Sequence, residues 1–431
     1  MSTTVHDPAI AESIVRETLP NGLTILVIPR KGQRRTHATF ATHYGSIDSH
    51  FRLPGSGKVL EVPDGIAHFL EHKMFEKPEG DIFNRYAALG ASANAFTEYT
   101  TTTYLFSTTD AVPECLDILI DVVQIPYFTE ANVEKEKGII EQELRMYLDM
   151  PGDRLHSNLM RALYKVHPAR LDIGGSVESI RRITPDVLYR CYETFYHPSN
   201  MVFLVIGDVD PAAVFEQVAR RQAARGDEPQ GEIGRILPEE PPRAVDDWVS
   251  QAMPVNLPIT AVGFKDGTPT GDGRALLQRE VVMGLMWGSL VGKSSPLFKR
   301  LYEAGLVNDR FGARYQIAPT FAHSVLGGET PDPRQLVDLL REELPRAPLT
   351  EETLSRLKKR EMGEYLGLFN SPDNLSYVLN SLFFRGGDVF DVMSIVDEVR
   401  LEDLEAAREE HLKPDRQAVS VITPPESPSR A

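Results

Sequence analysis

Prolines and glycines crowd one internal stretch of the chain, Gly226–Asp247, where Pro238, Pro241 and Pro242 fall close together. Each proline fixes φ and removes a backbone donor, so neither a helix nor an interior strand runs through the segment. The chain must therefore build its structure on either side, and the two sides end alike. Pro185–Tyr196 reads as a helix, His197–Asn200 as a turn and Met201–Val209 as a buried strand followed by Asp-Pro. Leu401–Leu412, Lys413–Arg416 and Gln417–Thr423 repeat that order and are followed by Pro-Pro. The repeat predicts two duplicated α+β domains, 1–228 and 248–431, joined by a linker at 229–247.

In the first half, Leu23–Ile28 and Thr36–Tyr44 read as strands, and Ala95–Thr108, rich in Thr, Tyr and Phe, as a third. Helical periodicity covers Ile66–Phe75, Glu114–Gln124 and Glu130–Asp149. The second half opens with a predicted strand, Leu257–Phe264, and a helix, Arg274–Trp287. Helical pattern returns over Glu351–Leu368 and Asn374–Phe384, with Pro372 marking a break.

The first of these helices carries His68-x-x-Glu71-His72. Residues four apart lie one above the other on a helix, so both imidazoles project from one face. So placed, each can give a nitrogen to Zn²⁺ at about 2.0–2.1 Å, with Glu71 beside them as a base for the attacking water. A catalytic zinc takes three protein ligands and keeps a fourth position open. The third is sought on Glu130–Asp149. There Val133, Ile140, Leu144 and Tyr147 mark the apolar face, Glu136 and Glu143 its edge, and Glu134 and Glu141 the solvent side. A buried carboxylate needs a compensating charge, which a metal provides. Glu143 is therefore the expected ligand and Glu136 a group that orients one. An ordinary salt bridge stays open for Glu136.

His68-x-x-Glu71-His72, with Glu136-x₆-Glu143 further on, resembles the pitrilysin/insulinase family of inverted-motif zinc metallopeptidases. Asn21-Gly22-Leu23, Gly45-Ser46-Ile47-Asp48, Asn94-Ala95-Phe96-Thr97 and the repeated terminal unit fall in the family's order. The resemblance is to the smaller bacterial members of about this chain's length. It implies two duplicated α/β-sandwich domains forming one half of a clamshell. It also implies one Zn²⁺ per chain held by His68, His72 and Glu143, with Glu71 as general base and Glu136 supporting the site. Asn94, Ala95 and Phe96 match the edge strand that grips substrate backbone, an extended peptide adding to the sheet through main-chain hydrogen bonds. A turn role stays open for Asn94.

One family feature is missing. An Arg and a Tyr usually stand in the second half as donors to the substrate carbonyl, but the matching stretch, Leu297–Asn308, has Tyr302 and Asn308 there. Arg310 and Tyr315 are nearby but differently spaced. Losing such donors costs about 3–4 kcal/mol each in comparable sites. The resemblance therefore implies a homodimer, or a heterodimer with a homologue that supplies the pair, and a chamber that admits only unfolded peptides. The competing reading is a non-catalytic or partner-dependent subunit of the same fold.

Composition narrows the alternatives. Sixty-two acidic against 46 basic residues give a net charge of −16, which repels phosphate backbones and excludes nucleic acid as the expected partner. The longest apolar runs, such as Met201–Gly207 and Val281–Leu285, are far short of the roughly 20 residues of a membrane span. The N-terminus has no signal-like apolar region, and Cys115 and Cys191 have no CxxC spacing, so a cytoplasmic location with reduced thiols is expected. Gly288–Ser294 imitates a phosphate loop but follows a helix and is one residue short between its glycines. His37, His43, His156, His167, His197, His323 and His411 lack ligand spacing and are expected to be structural or surface residues. Glu239, Glu240, Asp246 and Asp247 are expected to be solvated linker.

Overall fold

Met201–Gly207 is buried along its whole length, the pattern of a strand covered on both faces, and a sheet assembles around it. In order, the seven strands are Thr3–Asp7, Glu12–Thr18, Thr24–Pro29, Met201–Gly207, Thr36–Thr42, Thr102–Thr108 and Ser92–Thr97. Met201–Gly207 runs parallel to Thr24–Pro29, and every other pairing in this sheet is antiparallel. The computed structural model describes residues 2–7, 12–228, 230–267, 269 and 271–425.

A second sheet repeats the plan. Its order is Trp248–Ala252, Gln417–Thr423, Ile259–Lys265, Phe321–Glu329 and Gly312–Ala318, with only the first pair parallel. These five strands match the last five of the first sheet in order and direction. The first sheet adds the Thr3–Asp7 and Glu12–Thr18 hairpin at one edge.

The chain divides into two compact units that are not continuous in sequence. The first comprises 1–144, 172–237 and 368–384, and the second 145–171, 238–367 and 385–431. Thus helix Pro151–Leu163 packs on Ile259–Lys265 and Gln417–Thr423, while most of helix Pro372–Arg385 belongs with the first sheet. Thr36–Thr42 is fully buried despite its Thr and His side chains: Thr42 donates to Phe195 C=O at 2.6 Å, and that helix takes up His37 and Thr39. His37 Nε2 lies 2.9 Å from Ser376 Oγ, and Asn380 donates to Thr39 Oγ1 at 3.0 Å.

Two expectations need correction. Ala95–Thr108 is not one strand but the hairpin Ser92–Thr97 and Thr102–Thr108, closed by Glu98 N–H donating to Thr101 C=O at 2.8 Å. No Gly, Pro or Asn marks that turn. It is fixed from outside: Ser46 and Ile47 donate to the carbonyls of Glu98 and Tyr99, and a Cβ on Gly45 would sit 2.4 Å from Tyr99 backbone. Glu240 is not solvated linker. It accepts from the backbone N–H groups of Lys165, Val166 and His167 at 2.7–2.8 Å and pairs with Lys265 Nζ at 2.5 Å, enough to compensate a buried carboxylate.

Candidate metal centre

The motif helix spans Ile66–Lys73 and packs on both strands of the hairpin. It begins at Gly65, whose φ of 86° suits glycine and where a Cβ would lie 2.2 Å from Gly174 C=O. The loop at 174–175 therefore lies directly against the helix start. One turn apart, the His68 and His72 rings stand with centroids 4.6 Å from each other.

Helix Glu130–Leu148 brings the acidic groups. Val133, Ile140 and Leu144 are buried, as the periodicity predicts. Tyr147 is exposed, because the last turn of the helix has left the core. Glu143 Oε1 lies 3.8 Å from His68 Nε2, and its Oε2 lies 3.4 Å from His72 Nε2. One donor atom from each of the three residues falls within 4.8 Å of the others. Seven residues earlier, Glu136 Oε1 lies 3.1 Å from His72 Nδ1. Glu134 is the solvent-side residue, its side chain 75% exposed. Glu141 is tied down instead by Arg181 at 3.1 Å.

Glu136 accepts, so His72 Nδ1 donates to it, and in the neutral ring Nε2 keeps its lone pair for a metal. That lone pair and a carboxylate oxygen 3.4 Å away would repel with nothing between them. Two imidazole nitrogens and one carboxylate form a donor set that fits zinc with a fourth position to spare. The electrostatics agree. Burial lowers His68 to about 4, helped by His72 and opposed by Glu143 and Glu136, so its ring is neutral at pH 7. Burial also acts against a charged His72, but Glu136, Glu71 and Glu143 outweigh it and raise its affinity for a proton. Such surroundings attract positive charge.

Glu71 is buried beside this cluster. Burial raises its pKa, against Thr97 and His72, which lower it. Thr97 Oγ1 donates to Glu71 Oε2 at 2.7 Å, leaving Oε1 as the oxygen without that bond. Sequence reasoning quoted Thr97 but gave it no role, since a strand threonine has no pattern that separates it from its neighbours. It also missed Lys73, fully buried between Glu76 and Glu136. The signal for Lys73 was its place directly after His72.

Asn94, Ala95 and Phe96 lie on the terminal strand of the first sheet, which pairs with Thr102–Thr108 on one side alone among the described residues. Asn94 is exposed, and the Phe96 ring stands 5.9 Å from that of Tyr377. Asn94 belongs to the strand and not to a turn. In the second unit, Tyr302 is 54% exposed and Asn308 donates to Glu329 at 2.8 Å. Tyr315 is committed to Asp266 at 2.6 Å. Gly288 and Ser289 lie in the last turn of helix Gly273–Val291, so no phosphate loop forms there. No helix among the described residues is long and apolar enough to cross a membrane.

Comparison with known proteins agrees with this geometry. The profile described as Insulinase (Peptidase family M16) matches residues 55–176, and that of the Peptidase M16 inactive domain matches 182–361. The Bacillus subtilis protein YmfH, named an uncharacterized zinc protease, is 42% identical over 96% of this chain and 97% of its own. The crystal structure of an M16-like peptidase from Alicyclobacillus acidocaldarius is similar with a TM-score of 0.91 and 38% identity, over 98% of this chain and 100% of the other. A protease from Helicobacter pylori has the same fold, with a TM-score of 0.81 at 19% identity over 95% and 99% of the two chains.

Proposed function

The chain belongs to the insulinase (M16) peptidase family, and on that premise we propose that it is a zinc-dependent endopeptidase acting on unfolded peptides. The observation that supports this reading is the convergence of His68, His72 and Glu143 beside the buried carboxylate of Glu71. In this reading the two Nε2 atoms and the Glu143 carboxylate hold one zinc per chain. Zinc supplies Lewis-acid chemistry, polarising the scissile carbonyl and acidifying the attacking water. Glu71 handles the proton. With Oε2 held by Thr97, Oε1 accepts the proton of the water and returns it to the leaving amine. A raised pKa suits both halves of that task, since a base poised nearer neutrality also serves as an acid. Asn94, Ala95 and Phe96 hold the substrate as an added strand, through backbone groups that are indifferent to its sequence.

Tyr302 and Asn308, where the family carries Arg and Tyr, favour a partner-dependent form of this reading. A homologue that carries the pair supplies the missing donors. Elemental analysis beside cleavage of a quenched unstructured peptide tests both. We expect one zinc per chain and chelator-sensitive cleavage, with Glu71→Gln keeping zinc and losing cleavage. Absence of zinc overturns the proposal, and zinc loss in Glu71→Gln makes Glu71 a ligand. Zinc without cleavage, restored by an added homologue, selects the partner-dependent form.

A further inference from the structure

Lysine is almost never fully buried without partners, and Lys73 is 0% exposed. It sits at the end of the motif helix, directly after His72, in contact with Glu76 on one side and 3.5 Å from Glu136 Oε2 on the other. The second oxygen of Glu136, Oε1, is the one 3.1 Å from His72 Nδ1. Each Glu136 oxygen thus has its own partner, and a continuous chain of contacts runs Glu76–Lys73–Glu136–His72.

Stability alone does not explain this arrangement. A buried ion pair is commonly matched or bettered by apolar side chains of similar volume, and a methionine would fill the space of Lys73. Charge offers the reason. Glu71, Glu76, Glu136 and Glu143 are four carboxylates, and the ammonium of Lys73 pairs with two of them, Glu76 and Glu136. A metal bound by His68, His72 and Glu143 would lie on the Nε2 side of His72, whereas Glu136 bonds the opposite edge of the ring. Glu136 therefore needs a cation of its own.

We propose that Lys73 is a positioning residue for the metal centre, fixing the Glu136 carboxylate so that it orients the His72 ring. This rests on the zinc reading above. Partners of this kind, one step removed from the metal, change affinity by about 10–100-fold when lost.

The test is zinc affinity of the full chain, by competition with a chromophoric chelator, for wild type, Lys73→Met, Glu136→Gln and the double variant. We expect each single change to weaken binding by about 10–100-fold, with the double variant no weaker than Glu136→Gln alone. The cobalt-loaded chain adds a signature of ligand field: Lys73→Met should alter the visible bands as Glu136→Gln does. Should Lys73→Met fail to fold, Lys73→Met/Glu76→Gln removes one charge of each sign, and it should also lose zinc affinity. Wild-type affinity within about twofold in a folded Lys73 variant, or additive losses in the double variant, would overturn the proposal while leaving the zinc centre intact. A wild-type chain that binds no zinc would sink the zinc reading itself and this inference with it.

Discussion

Each unit lays a helix against the terminal strand of its sheet and, beside that contact, buries a carboxylate that accepts from a hydroxyl of the strand. In the first unit Thr97 donates to Glu71, and in the second Tyr315 donates to Asp266 at 2.6 Å. There the likeness ends. Asp266 also takes Arg279 through contacts of 3.0–3.1 Å and lies 3.4 Å from His411. Burial would push Asp266 up, yet His411, Arg279 and Tyr315 hold it well below the usual carboxylate range. Among the described residues no guanidinium pairs with Glu71, and burial pushes it up. Placement on the same scaffold therefore does not decide what a buried carboxylate does. A matched cation makes it a fixed anchor, and its absence leaves a group ready to trade protons. The imidazoles follow suit: His411 Nε2 is 2.7 Å from Ser324 Oγ, whereas the Nε2 atoms of His68 and His72 face Glu143.

The contrast breaks most easily at Glu143. Structural zinc sites bind with about 10–16 kcal/mol over four ligands, which puts the loss of one ligand at about 2.5–4 kcal/mol, or about a hundredfold to several hundredfold in affinity. Glu143→Gln should show that loss, while Glu141→Gln, which removes an ion pair with Arg181, should change zinc affinity less than about threefold. The reverse order would mean that the open cluster is not the metal site.

In the closed cluster the effect should fall on stability instead. Asp266→Asn leaves Arg279 with Glu410 as its carboxylate partner and should cost about 3 kcal/mol, with zinc affinity unchanged. The sign of its pH dependence follows from the depressed pKa. The stability contributed by Asp266 is complete above its unfolded pKa of about 3.9 and is lost as pH falls through the folded value. Urea unfolding should thus give the same penalty at about pH 7 and pH 5, and a shrinking one below about pH 4. A constant penalty to lower pH would mean that hydrogen bonding alone, without charge, holds the cluster.

Much of this plan was legible in the residues, and what was hidden has physical causes. Met201–Gly207 and Gln417–Thr423 declare themselves because a strand covered on both faces must be apolar throughout. The seven-residue spacing of Glu136 and Glu143 puts both on the helix face that meets the imidazoles, since two turns of 3.6 residues nearly close. Periodicity reports a face and not its partner, so nothing local reveals that Pro151–Leu163 packs on Ile259–Lys265 and Gln417–Thr423, both far along the chain. The Glu98–Thr101 turn is set by Gly45–Ile47, and Glu240 is stabilised by backbone groups of 165–167. Both are contacts that exist only once the fold does. Lys73 was hidden for a related reason. A charged residue on a helix reads as solvated until its counter-charges, from another helix and a later strand, are in place.

The smallest predicted change tests whether the edge strand does more than hold substrate. Thr97 sits at the end of Ser92–Thr97, so the strand that would carry the peptide also carries the donor that fixes Glu71 Oε2. A hydrogen bond to a charged group contributes about 1.5–3 kcal/mol, and part of that is recovered when the neighbouring hydroxyl of Thr102, 3.4 Å from Thr97 Oγ1, is left to move in. Thr97→Val should therefore lower kcat by roughly tenfold without changing zinc content, and Thr97→Ser should restore most of it. Loss of KM instead of kcat would assign Thr97 to peptide binding alone. If Val and Ser variants fall equally, the methyl group rather than the hydroxyl matters, and Glu71 is positioned by packing.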